Sequence, residues 1–174
     1  RVAMYAHAAN GGIKIDKTAQ TGVEGLYACG EATGGMHGAD RIGGLSSANG
    51  IVFGRIAGAS AALTAQKEPE AALKADITLP QYGIATTDAD RLTNSLRHTM
   101  STYCMINRTE TGLSEALQQL ESLQDEATAL NKPHANDSEI AALARLQSQI
   151  QLAQEMVKAM RKRTESLGSH YRAD

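Results

Sequence analysis

The sequence predicts an α+β fold: short strands and a glycine-rich helix first, then a three-helix bundle. Three observations carry that expectation. Thirteen of the 16 glycines lie between Gly11 and Gly58. Among them run short alternating or apolar segments of the kind that form strands. From residue 89 onward, apolar residues recur at helical spacing almost to the end.

In order along the chain, Gly12, Ile13, Lys14, Ile15 and Asp16 alternate like a strand, and residues 17–21 form a polar turn. Residues 23–30 read as a short buried strand ending at Gly30, followed by a loop over residues 31–44. From about Ser46 the pattern turns helical, with Ile51, Phe53, Ile56 and Ala57 leading into an alanine-rich stretch to Ala65. Gly50, Gly54 and Gly58 recur every fourth residue and would line one face of that helix, allowing close packing. A flexible linker does not fit this half, because Ile13, Val23, Leu26, Ile51 and Phe53 are interleaved with the glycines.

These patterns set the expected domains: residues 1–66 as one unit, 67–88 as a connector bearing Pro69 and Pro80, and 89–174 as a helical domain. In the last, Asp88 or Asp90 is the expected cap of a helix carrying Leu92, Leu96, Met100 and Tyr103. Thr111 would cap a second, with Leu113, Leu117, Leu120 and Leu123 on one stripe, ended by Lys132-Pro133. Asp137 or Ser138 would cap a third, turning Ile140, Leu143, Ile150 and Val157 inward. Three amphipathic helices with short breaks make an antiparallel bundle.

Composition narrows the function classes. Lys and Arg number 17 against 19 Asp and Glu, a formal charge of -2, so nothing draws the chain to nucleic acid or an anionic membrane. No run approaches the roughly 18 apolar residues that cross a bilayer. Cys29 and Cys104 lie far apart without a CxxC, which gives no disulfide framework and no metal site. Both read as buried thiols in a reduced, cytoplasmic compartment.

The loop over residues 31–44 concentrates titratable groups among glycines, just past a strand. Glu31, His37, Asp40 and Arg41 fall there, and Ser46 and Ser47 open the next helix. Free N–H groups and the positive dipole end at that helix start suit an anion or a cofactor edge that becomes negative. Taken singly, His7 reads as a loop histidine, Arg41 as a salt-bridge arginine and Glu31 as a residue favouring the dipole.

The stretch "GEATGGMHGADRIGG" at residues 30–44 resembles the "GE…GG.HGANRLGG" stretch of FAD-dependent succinate dehydrogenase and fumarate reductase flavoproteins. It is similar to that of L-aspartate oxidases as well. His7 with Gly11 and Gly12 resembles their "H…GG" segment, and "LRHTM", "NRTETGL" and "RTESLGSHYRAD" resemble their helical C-terminal region. The resemblance implies the C-terminal portion of such an enzyme, with residues 1–66 the last piece of an FAD-binding α/β domain. Its "GxGxxG" fingerprint and proton-delivering arginine are expected upstream, so no catalytic residue falls here and the fragment alone is expected to be inactive.

Carried over by position, the resemblance assigns FAD binding to Glu31, Ser46 and Ser47, and a dicarboxylate substrate to His7 and Arg41. His37 would support them from behind. Arg108, Arg163 and Arg172 would tie the bundle to the flavin domain. An iron–sulfur or other electron-transfer subunit is the implied partner, and any membrane association would run through such subunits. Asp40 stands where the family has Asn, which puts a carboxylate beside Arg41. Leu45 replaces a small polar residue and Leu167 an arginine. The alternatives are an L-aspartate oxidase, or a helical partner-docking module with a degenerate flavin site, which Asp40 would favour.

Overall fold

The structure, a computed structural model, describes residues 11–67 and 80–174. The chain divides into two compact units, Arg1–Ala75 and Asp76–Asp174.

In the first unit the regular element is helix α1 (Leu45–Ala65). It is apolar all round, yet within it only Ala57 is buried. Its small residues meet the segment before the loop: a Cβ on Gly54 would lie 3.9 Å from the Cys29 sulfur, and one on Gly30 would lie 3.9 Å from Gly50 Cα. At its far end, the Tyr27 and Thr64 hydroxyls are 2.7 Å apart, which fastens the last turn.

The strands expected at 12–16 and 23–30 do not form. Among the described residues they pair only at single bridges, Ile13 with Thr33 and Gln20 with Tyr27. A ladder needs a partner along its whole length, and one bridge satisfies too few backbone groups to propagate. Val23 and Leu26, expected to be buried, are exposed, and so is Cys29. A local turn replaces part of the pattern: one Asp16 carboxylate oxygen accepts from the Thr18 and Gln20 N–H groups and the Thr18 hydroxyl.

The second unit runs β1 (Tyr82–Gly83), α2 (Thr86–Tyr103), α3 (Glu110–Ala129), β2 (Lys132–Pro133) and α4 (Asp137–Lys162). β1 and β2 form a small antiparallel sheet with Tyr82 opposite Pro133 and Gly83 opposite Lys132. The three helices close on one apolar core, where Ile84, Leu92, Leu113, Leu120, Leu146, Ile150 and Val157 are fully buried. Four α-helices occur among the described residues, one in the first unit and three in the second, and the β ribbon keeps the helical region from being a plain three-helix bundle. The β ribbon packs on α4, where the Ile84 N–H donates to the Glu139 carbonyl at 3.2 Å.

The caps fall earlier than expected. Thr109, not Thr111, caps α3 by accepting from the Gly112 N–H at 3.1 Å. Asn136, not Asp137 or Ser138, caps α4 in a capping box with Glu139, each side chain accepting from the other residue's backbone N–H. α2 has no side-chain cap; Asp88 sits in its first turn, where a carboxylate still favours the dipole. No helix among the described residues is long and apolar enough to cross a membrane.

Candidate functional site

The residues around the loop are stitched by backbone. The Ile13 N–H donates to the Ala32 carbonyl at 2.9 Å, and the Gly34 N–H donates to the Ile13 carbonyl at 3.1 Å. Two glycines make that approach possible. A Cβ on Gly12 would fall 2.5 Å from the Ala32 oxygen, and one on Gly34 would fall 2.7 Å from the Gly12 nitrogen. Neither neighbour can yield, because both are backbone. The segment leading out of the histidine stretch is therefore held against the loop that carries Glu31 and Arg41. His7 itself lies outside the described residues.

Glu31 is exposed on a single 3-10 turn, Gly30–Ala32, whose first residue lies beside Gly50 of α1. Arg41 is half-buried four residues before α1. Asp40 turns its carboxylate back onto the Arg41 backbone, accepting that N–H at 2.8 Å. Among the described residues, the Arg41 guanidinium meets no carboxylate and keeps its donors available.

Among the described residues the start of α1 has neither a side-chain cap nor an acidic residue, whereas α2, also uncapped, carries Asp88 in its first turn. The N-cap of α1 is Gly44 at φ 88°, a conformation that favours glycine. The Leu45 N–H is used by the Ile42 carbonyl at 3.2 Å, which leaves the following N–H groups, including those of Ser46 and Ser47, pointing out of the helix end. A helix end with free donors and positive dipole character holds anionic or electron-rich groups.

One residue here escapes the sequence reading. Asn49, one turn into α1, has a buried Oδ1 with no hydrogen-bond partner among the described residues, and its Nδ2 lies 3.4 Å from His37 Nε2. Its signal was an amide side chain in the first turns of the helix, close to Ser46 and Ser47. His37 thus touches Asn49. Among the described residues, no hydrogen bond or ion pair joins Glu31, Arg41, Ser46 and Ser47 to one another. No group of three or more His, Cys, Asp or Glu among the described residues could hold a metal.

Of the three arginines expected to bridge toward the flavin domain, Arg108 and Arg172 have side-chain partners within the second unit. Arg108 donates to the Cys104 carbonyl and to His170, and Arg172 binds Glu110 and Asp174, all inside the second unit.

Comparison with known proteins accounts for this arrangement. Residues 93–174 match the fumarate reductase flavoprotein C-terminal family, and residues 1–47 match the FAD binding domain family. The chain belongs to the family of FAD-dependent succinate dehydrogenase and fumarate reductase flavoproteins, which takes in the L-aspartate oxidases, and corresponds to their C-terminal portion. An FAD-dependent oxidoreductase of Methanocaldococcus jannaschii is 34% identical over 99% of this chain and 33% of its own length. One chain of the CoM/CoB fumarate reductase of Methanothermobacter marburgensis is 32% identical over 99% of this chain and 33% of its own length. A quinol fumarate reductase structure from Escherichia coli superposes with a TM-score of 0.76 at 29% identity, over 94% of this chain and 30% of that one. The chain spans about a third of the length of the curated relatives it matches. The family is associated with FAD binding.

Proposed function

We propose that this chain is the C-terminal part of an FAD-dependent oxidoreductase that transfers a hydride between flavin and a dicarboxylate. The observation that carries the reading is the bare N-terminus of α1 beside a glycine-built loop whose arginine has no carboxylate partner among the described residues. In this reading residues 1–66 complete an FAD-binding domain, 67–88 connect, and 89–174 form the helical C-terminal domain. An iron–sulfur or other electron-transfer subunit is its partner, and the cytoplasm its compartment.

The bound flavin supplies the hydride chemistry, and this chain supplies positioning and charge. Ser46 and Ser47 offer backbone N–H groups to the flavin edge that gains negative charge, and Glu31 accepts from a sugar or ribityl hydroxyl. Arg41 grips a substrate carboxylate with its planar fork, and His7 donates to the substrate from a second direction. Two holds at opposite ends of a short diacid fix its central carbons and turn the encounter into an intramolecular step. The Asp40 carboxylate accepts the Arg41 backbone N–H, and no ion pair joins it to the Arg41 guanidinium among the described residues.

Kinetics of the intact parent test this. Arg41→Lys keeps the charge but loses the fork; it is expected to lower kcat/KM for a dicarboxylate by roughly a hundredfold, about 2–3 kcal/mol. Flavin content should stay unchanged. An Arg41→Lys parent with normal kcat/KM would sink the substrate assignment, and one that loses its flavin would move Arg41 to the cofactor. An L-aspartate oxidase is the second reading, favoured by the inclusion of those enzymes in the same family. Production of peroxide with aspartate, and none of succinate from fumarate, would select it.

A further inference from the structure

Residues 163–174 leave α4 and turn back toward the start of α3. The turn closes at Gly168 (φ 61°), with the Leu167 N–H donating to the His170 carbonyl at 2.9 Å and the His170 N–H donating to the Leu167 carbonyl at 3.2 Å. The tail then pairs in parallel with the α2–α3 connection at Arg108 and Arg172, and the Ala173 N–H donates to the Arg108 carbonyl at 2.8 Å. Asp174 reaches the first turn of α3, where it accepts the Glu110 N–H at 2.6 Å.

Within this segment only His170 and Arg172 are buried. Two residues apart on extended chain, they face the same way. His170 Nε2 lies 2.9 Å from the Arg163 carbonyl, which can only accept, so that nitrogen carries the hydrogen. Nδ1 is then left to accept from the Arg108 guanidinium at 3.0 Å. Arg172 has a side chain 6% exposed. It donates to both Asp174 oxygens at 2.9 and 3.1 Å, to Glu110 at 3.3 Å, and to the Met160 and Arg161 carbonyls at the end of α4 at 3.4 Å. Glu110 also binds Arg161.

The apolar side chains of the segment contribute little burial: Leu167 and Tyr171 are 48% and 49% exposed. Polar bonds hold it, and those bonds share partners. Withdrawing Arg172 strips a cation from Glu110 and Asp174 and donors from α4 together; withdrawing His170 takes one of Arg108's two acceptors and leaves it the Cys104 carbonyl. Such bonds have a modest net worth and weaken in salt, unlike the packing that holds α3 to α4.

We propose that residues 163–174 form a strap, fastened by His170 and Arg172, which opens and closes as one piece without unfolding the helices. Opening bares the N-terminus of α3, the last carbonyls of α4 and the half-buried Arg108 at once. It is a conformational device separate from the flavin and substrate reading above.

Amide hydrogen exchange on the full chain tests it. The amides of Glu110, Leu167, His170, Arg172 and Ala173 should share one opening equilibrium and exchange faster than those of Leu120 and Ile150. Arg172→Lys, or about 1 M salt, should speed all five together by roughly tenfold and leave the two helix amides unchanged. His170→Gln, which keeps one donor and one acceptor, should speed the same five by less. Unrelated rates among the five would overturn the proposal. So would acceleration confined to Arg172 and Ala173, or five amides that exchange only as slowly as Leu120.

Discussion

Asp174 holds its carboxylate between the Arg172 guanidinium and the Glu110 N–H, and these two bonds, the first the larger, bring its pKa down from 3.8 to about 2. Glu110 is lowered too, by Arg161 first and then Arg172. Because the folded values lie below the ordinary ones, the stability these groups lend is complete above the ordinary carboxylate range. It is lost as pH falls, through about 2 for Asp174. Urea unfolding of the second unit should therefore give a midpoint that falls between pH 4 and pH 2, and Asp174→Asn should flatten part of that slope. An unchanged slope in the variant would remove Asp174 from the account. Residues of this kind were only half legible. "RTESLGSHYRAD" announced charge but not its direction, because whether an arginine turns inward depends on where α3 begins. In the loop, Arg41 and Glu31 could be singled out by their place among glycines, whereas the bond from Asp40 to the Arg41 backbone is a local choice between two nearby donors that spacing does not decide. Asn49 is not revealed by periodicity, because the polar residues of α1, Ser46, Ser47, Asn49, Arg55, Ser60 and Thr64, fall on no one stripe.

At the scale of elements, periodicity was a sufficient guide to α2, α3 and α4, whose buried leucines fall on the stripes that the spacing predicts. Their starts were less legible. Thr109 and Asn136 are each followed three residues later by an N–H within reach, but competing candidates stand one or two positions further on. The β ribbon was missed altogether, since β1 and β2 are two residues each and bear no alternation. Its existence rests on Gly83. A Cβ there would lie 2.6 Å from the Ala135 Cβ, 2.6 Å from the Glu139 carbonyl carbon and 2.8 Å from its oxygen. Gly83→Ala must push the ribbon off α4 and stretch the bond from the Ile84 N–H to Glu139. We expect a loss of about 1–3 kcal/mol for the second unit by chemical denaturation, the usual cost of forcing an extra carbon into a tight contact. A neutral Gly83→Ala variant would mean that the ribbon has room to shift.

Across the whole molecule the units differ in how far they satisfy their own apolar surface. The second buries fully a set of large side chains from every one of its helices. In the first, Ile51 is 74% exposed, Ile42 73%, Leu63 59% and Val52 53%, and α1 presents apolar residues to all sides. A helix of that composition is built to be surrounded, since leaving each such side chain in water forfeits about 1.5–3 kcal/mol of burial. The same fact explains why the strands of this half were misread. The alternation at 12–16 and the apolar run at 23–30 carry the mark of strands in a sheet, and single bridges are all they form among the described residues. The curated relatives are about three times as long, and in a parent of that kind the remaining chain would supply the cover. The 174-residue chain alone should therefore show fast amide exchange through α1 and slow exchange through α3 and α4, with α1 becoming protected in the intact flavoprotein. Flavin titration of the chain alone should likewise show weak binding, because free N–H groups on a loosely held helix are not preorganised. Protection of α1 equal to that of α4 in the isolated chain, or tight stoichiometric flavin binding by it, would mean that the first unit is complete by itself.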